Sequence, residues 1–292
     1  MIFYHKLNDN GIDIKNAISR HSADKVIAYK EVEGESIYLG YYFPQKHSMD
    51  RMYPLFAFIH GGGWESRKIF DDQSGWQGDY LGYLARYYAD KEFVCVSIDY
   101  RLAKNSGQTE NYGIIDCYED CCDAMDYVID HADDYGIDIK QIYLLGESAG
   151  GHLAGGLAMF HHNRKYEFKK MFLVNPITHL YDKWKSRVPL YSNHPNLCNL
   201  SVEERADFLS PLFHVNNDLC DIVLIHGQDD TTVNLEHSLK LYEKMIELER
   251  KCEIHLIEKT KHAFMLAEYY KNGMEACKIG IQIINDSLNI VW

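Results

Sequence analysis

With 292 residues, 46% hydrophobic and 25% charged, the chain has the make-up of a globular protein and is long enough for a large buried core. A formal net charge of −13 argues against nucleic acid, whose phosphates demand a basic surface, and against docking on an anionic membrane. The eight cysteines contain no C-x-x-C pair, which sets aside zinc-ribbon and thioredoxin chemistry, and their scatter suits a reducing compartment.

The opening stretch MIFYHKLNDNGIDIK lacks an apolar h-region and a small-residue cleavage site, and no apolar run reaches the length of a membrane span. A cytoplasmic location is therefore expected. No repeat or low-complexity tract follows. KVIAYKEV (25–32) and SIYLGYYF (36–43), joined by a turn around Gly34, predict an antiparallel hairpin at a sheet edge. Residues 54–60, 93–100, 141–148, 170–176, 221–227 and 252–258 are near-continuous apolar runs, as expected of parallel strands buried on both faces. Helical patterns lie between them, at about 77–90, 114–135, from Ser148 onward, 234–250 and 264–288. Cys117, Cys121 and Cys122 fall in the second of these, as buried or half-buried thiols. This alternation predicts a single α/β domain over 1–292, with a mostly parallel central sheet and helices on both faces. The polar, aromatic-rich segment at about 177–218 breaks the rhythm and predicts a small cap insertion over the site.

The chemistry concentrates at strand ends. Gly146-Glu147-Ser148-Ala149-Gly150 joins a predicted strand to a predicted helix rich in small residues, the context in which G-x-S-x-G presents a nucleophile. A serine hydroxyl needs a base. Of fifteen histidines, His262 follows the last strand and so completes the order serine, acid, histidine. His152 is expected to pack or bond locally, His161 and His162 to be solvated, and His226 to be structural. The acid belongs after the preceding strand, where Asp229 and Asp230 stand side by side. Spacing alone leaves them equivalent. The pattern H-G-x-x-D-x-x-V selects Asp230 and leaves Asp229 to cap the helix beginning near Val233. His60-Gly61-Gly62-Gly63-Trp64 ends the third predicted strand. Its glycines expose N–H groups, so Gly62, Gly63 and the Ala149 N–H are the candidate oxyanion donors. No G-K-[ST] follows this loop and no G-x-G-x-x-G spacing occurs, which argues against a phosphate or dinucleotide site.

HGGGW, SIDYRL (97–102), GESAGGHLA (146–154), LSPLF (209–213), HGQDDTTV (226–233) and KHAF (261–264), in that order, resemble the α/β-hydrolase esterases of the hormone-sensitive-lipase-like group. Within it they resemble the bacterial carboxylesterase and acetyl- or feruloyl-esterase-like branch. The resemblance spans roughly 35–288. It implies the α/β-hydrolase fold and hydrolysis of a small-molecule carboxylic ester without metal or organic cofactor. It maps Ser148 onto the nucleophile, Asp230 onto the acid and His262 onto the base. Asp99-Tyr100-Arg101 maps onto a structural segment. Only about 24 residues precede the first predicted strand, fewer than the large N-terminal cap of many lipase-like members, which points away from long-chain lipids. Glu147 stands where many members carry Asp. The expected reaction is cleavage of short or medium acyl esters through an acyl-enzyme. An arylformamidase or other small-amide hydrolase with the same triad is the alternative, and a non-catalytic hydrolase-like binding protein is a third reading. Trp64, Trp184 and Tyr191 are the aromatic candidates for lining a pocket for an aryl or sugar ester, Trp64 first among them, with packing of the core as the equal alternative.

Overall fold

The apolar runs become the strands of one nine-stranded sheet in a computed structural model that describes residues 1–66, 80–103, 112–160, 165–181, 183–184, 194–266 and 273–290. In chain order these residues form β1 (Ile2–His5), α1 (Lys15–Ser19), β2 (Lys25–Val32), β3 (Glu35–Tyr42), β4 (Tyr53–Ile59), α2 (Gly82–Ala89), β5 (Val94–Ile98) and α3 (Ile114–Asp130). They continue as β6 (Ile137–Glu147), α4 (Ala149–Met159), β7 (Phe168–Val174), α5 (Val202–Phe208), β8 (Asp221–Gly227), α6 (Glu236–Glu247), β9 (Cys252–Ile257) and α7 (Gly273–Leu288). The strand order is β1-β9-β8-β7-β6-β4-β5-β3-β2. The β2–β3 and β3–β5 pairs are antiparallel and the rest are parallel, as expected of an edge hairpin on a parallel sheet.

Period-2 alternation explains why these strands read as unbroken apolar runs. In β4, Leu55, Ala57 and Ile59 face one cluster while Phe56 and Phe58 face the other. The first cluster is closed by α3, α4 and α6, the second by α1, α2 and α7. Both faces are therefore dry, and an amide in the sheet interior has no partner but the neighbouring strand. Cys117 and Cys121 are buried on α3 and Cys122 is half-buried, in line with their helical spacing.

β1 departs from the expectation. The sequence shows no strand before Lys25, yet Ile2–His5 pairs parallel with Ile254–Ile257 and extends the sheet at its far edge. Two predicted helices are also shorter where described. Residues 77–79 and 267–272 lie outside the described residues, and Phe264–Leu266 form a turn after His262 rather than helix. Of the insertion between β7 and β8, residues 177–181, 183–184 and 194–218 are described. α5 supplies its expected short helix, opened by a reciprocal cap between Ser201 and Glu204.

Candidate active site

Four loops at the carboxyl ends of β4, β6, β8 and β9 converge, the usual place for a site on a parallel sheet. The central one is the turn from β6 into α4. Ser148 sits there with φ 57° and ψ −119°, a backbone region that a side chain disfavours. The surroundings hold it in place. Its N–H donates to the Val174 carbonyl at 2.9 Å, and its carbonyl accepts from His152 at 3.0 Å and Ile177 at 3.3 Å.

Close approach explains the flanking glycines. A Cβ on Gly150 would lie 2.1 Å from the Ile59 carbonyl oxygen, and one on Gly146 would lie 2.2 Å from the Gly150 carbonyl oxygen. Both obstacles are backbone, so no rotamer change relieves them. Gly150→Ala is expected to push α4 away from β4, lowering stability by about 1–3 kcal/mol. The displaced Ser148 is expected to lose roughly 100-fold in ester turnover. Thermal melting and initial rates check both; a variant with wild-type turnover would show that the elbow has slack.

His262 bridges the two other candidate residues. Its Nδ1 lies 2.6 Å from Asp230 Oδ2 and its Nε2 lies 2.9 Å from Ser148 Oγ. Asp230 has no side-chain exposure. Its Oδ1 accepts from the Thr232 N–H at 2.8 Å and the Val233 N–H at 2.9 Å. Asp230 thus takes both jobs that the sequence divided between two residues. It faces the histidine and it satisfies the turn leading to α6. Asp229, expected as the cap, is exposed, and its N–H ties the loop to the Thr260 carbonyl at 2.9 Å.

The glycine loop after β4 lies opposite. Gly62 has φ 114°, and its carbonyl accepts from the Ser66 N–H at 3.1 Å, so the loop folds back on itself. Gly62, Gly63, Tyr80, Glu147, Ser148, Trp184, Thr232, His262, Ala263 and Leu266 line a cavity of about 220 Å³. Ala149 is fully buried as the first residue of α4. Its N–H belongs to the helix's first turn, where amides lack intrahelical partners. The loop is pinned from below. The His60 ring stacks on Tyr100 at 4.2 Å, its Nε2 lies 3.5 Å from Asp99, and the Tyr100 hydroxyl donates to the His60 carbonyl at 2.8 Å. This is what the Asp99-Tyr100-Arg101 segment does, with Arg101 tied in turn to Asp120.

Trp64 takes the packing role of the two that the sequence leaves open. It is fully buried and does not line the cavity; it packs edge-on against Trp184 at 5.7 Å and His152 at 5.1 Å. A φ of 62° turns it under the loop, so it supports Trp184, which does line the cavity. Tyr191 lies outside the described residues. His152 is not a local partner either. Its Nε2 meets the Leu209 carbonyl at 2.7 Å, tying α4 to the end of the insertion, and burial pushes its imidazole down to about 4. His161 and His162 lie outside the described residues. His226, fully buried at the end of β8, sits 2.8 Å from Ser238 Oγ and 3.1 Å from the Val233 carbonyl.

Two further lining residues are Tyr80, which stands in no motif, and Glu147, the variable position of G-x-S-x-G. Tyr80 accepts the Gly61 N–H at 2.8 Å and so holds the glycine loop from the cavity side. Glu147 is fully buried beside Ser148; burial pushes its carboxyl up, with Tyr80 and His262 opposing the rise. Among the described residues no group of three or more His, Cys, Asp or Glu could hold a metal ion, and no helix is long and apolar enough to cross a membrane.

The BD-FAE family profile matches residues 39–245, the greater part of the chain and every strand from β4 to β8. The chain belongs to the BD-FAE family. As a BD-FAE protein it is an α/β-hydrolase of the hormone-sensitive-lipase-like esterase group. Arylacetamide deacetylase of Bos taurus is 28% identical over 206 residues, 68% of this chain and 47% of that protein. The BD-FAE chain thus spans about half the length of the deacetylase. Kynurenine formamidase of Danio rerio is 26% identical over 267 residues, 89% of this chain and 82% of that enzyme. A thermophilic esterase of Thermogutta terrifontis, solved with butyrate bound, has a TM-score of 0.71 at 25% identity, over 90% of this chain and 92% of its own.

Proposed function

We propose that this BD-FAE protein hydrolyses carboxylic esters with short or medium acyl chains through an acyl-enzyme on Ser148. The observation that carries the reading is His262, within hydrogen-bond reach of both Ser148 Oγ and Asp230 Oδ2. With the Nδ1 proton donated to Asp230, the Nε2 lone pair faces the serine hydroxyl and accepts its proton as Oγ attacks the ester carbonyl. The carbonyl oxygen becomes an oxyanion, received by the N–H groups of Gly62, Gly63 and Ala149. The tetrahedral intermediate collapses, and His262 returns the proton to the departing alcohol. Water then repeats the sequence against the acyl-enzyme and releases the acid. Each step uses these three side chains, the backbone N–H groups and a water molecule, and draws on no cofactor.

Cavity size favours small acyl groups. A volume of about 220 Å³ falls below the roughly 300–1,000 Å³ typical of sites for drug-sized ligands. Butyrate bound to the Thermogutta terrifontis esterase supports the same class. The segment between β7 and β8 acts as the cap, with Trp184 as its contact with the substrate. The substrate is a small soluble ester met in the cytoplasm, and neither nucleic acid nor membrane takes part. The second reading, a small formamide, is favoured by one observation, the match across most of kynurenine formamidase. A panel of nitrophenyl esters of increasing acyl length, run beside N-formylkynurenine, tests both. The expected result is the highest kcat/KM from acetyl to butyryl and a fall of at least about tenfold for long chains. Faster turnover of N-formylkynurenine than of any ester overturns the proposal in favour of the amide.

A further inference from the structure

Asp230 has a second histidine beside it. His262 Nδ1 approaches Oδ2 at 2.6 Å, and His226 Nε2 lies 3.6 Å from the same oxygen. The proton on His226 can be assigned from its partners. The Val233 carbonyl, 3.1 Å from Nε2, can only accept, so Nε2 carries a hydrogen. Nδ1, 2.8 Å from Ser238 Oγ, then accepts from that hydroxyl in the neutral ring. Burial favours the neutral form, pushing the imidazole down to about 4. The result is a fixed N–H that donates to the Val233 carbonyl with Asp230 Oδ2 3.6 Å from the same nitrogen, and neither side chain is exposed.

We infer that His226 is a positioning residue for the reaction. Its Nε2–H, oriented by Ser238, donates to the Val233 carbonyl, braces the turn that binds Oδ1 and points its positive end toward Oδ2, so the Asp230 carboxylate stays in the rotamer that meets His262. The geometry accounts for every direction around that carboxylate. Oδ1 is held by the Thr232 and Val233 N–H groups, and Oδ2 lies between His226 and His262. His226 also braces the turn itself, since the Val233 whose N–H binds Oδ1 gives its carbonyl to His226. The order Ser238, His226, Asp230, His262, Ser148 therefore runs from the start of α6 to the elbow, through hydrogen bonds at every link but the 3.6 Å electrostatic contact between His226 and Asp230. Removing the donor takes the positive end of the N–H away from Oδ2 and deprives the Val233 carbonyl of its bond, which loosens the turn that binds Oδ1. This inference rests on the proposed roles of Ser148, Asp230 and His262.

Three substitutions test it against a merely structural role. His226→Leu keeps bulk and removes both ring nitrogens. His226→Asn can still accept from Ser238 but is too short to donate toward Asp230. His226→Gln reaches far enough to place an N–H near the Nε2 position. The readouts are kcat and KM on a short acyl ester and the second-order rate of fluorophosphonate labelling, with Ser148→Ala as control. The expected result is a fall of about tenfold in kcat and labelling rate for Leu and Asn, at unchanged KM, and recovery for Gln to within a few-fold of wild type. If Asn behaves as wild type and only Leu is slow, His226 serves packing and the Ser238 bond, and the inference fails. If Leu does not fold, the Asn–Gln pair decides alone. Should Ser148→Ala still label, the proposed nucleophile is wrong, a separate failure from wild-type kinetics in the Asn variant.

Discussion

Ser148→Ala is expected to reduce ester turnover by roughly 10⁶-fold while leaving the fold intact. The loss comes from one atom. His262 and Asp230 stay in place, since their 2.6 Å contact does not pass through Ser148, and the glycine loop is pinned by His60, Tyr80 and Tyr100. Hydrolysis left over, on the order of 10³–10⁴ above water, would reflect binding and the oxyanion donors alone. Ser148→Gly makes a sharper pair with it. Both lack the nucleophile, but only glycine relaxes at φ 57° and ψ −119°. The strain stored at such a site is about 1–3 kcal/mol, less the extra chain entropy that glycine loses on folding. Ser148→Gly should therefore melt about 2–4 °C above Ser148→Ala, both equally inactive. Equal melting temperatures would mean that the elbow is not strained, and residual turnover of a few per cent in either variant would remove Ser148 from its role.

The elements that carry this chemistry were legible because each is local. G-x-S-x-G, HGGGW, the acid pair and His262 all sit just after an apolar strand, and a parallel sheet turns four such strand ends into one place. What escaped the sequence depends on contacts between distant segments. β1 is four residues long, too short to show a period, and it pairs with β9, some 250 residues away. For Trp64 the sequence leaves two roles open, lining the pocket or packing the core. Its positive φ and the rings of His152 and Trp184 turn it inward, and no spacing rule contains those. His152 finds its partner 57 positions on, in the insertion. Tyr80 stands in no motif, yet it holds the Gly61 N–H. The division of labour between Asp229 and Asp230 failed for a simpler reason. A carboxylate has two oxygens, and in Asp230 one serves the turn while the other serves the histidine.

That split makes Asp230→Asn unusually informative. Oδ1 already accepts two backbone N–H groups, at 2.8 and 2.9 Å, so the amide oxygen of the variant must take that position. An amide nitrogen there would face two donors. The NH₂ group is therefore forced to the Oδ2 side, 2.6 Å from His262 Nδ1 in the native arrangement. A donor at that place requires Nδ1 to be the acceptor, which moves the ring proton to Nε2. The nitrogen facing Ser148 then carries a hydrogen and cannot take the hydroxyl proton. The side chain keeps its shape, the turn into α6 keeps its bonds, and the base is lost through the wrong tautomer. Turnover is expected to fall about 10⁴-fold, with KM and thermal midpoint close to wild type. Asp230→Ala loses the turn's two acceptor bonds as well. It should match Asn in rate but melt lower, by the roughly 1–3 kcal/mol that the buried Val233 N–H costs when unpaired. Steady-state kinetics and melting of the two variants decide it. Wild-type turnover in Asp230→Asn would place the histidine's partner elsewhere, and a large drop in its melting point would mean that Oδ1 and Oδ2 do not divide their roles in this way.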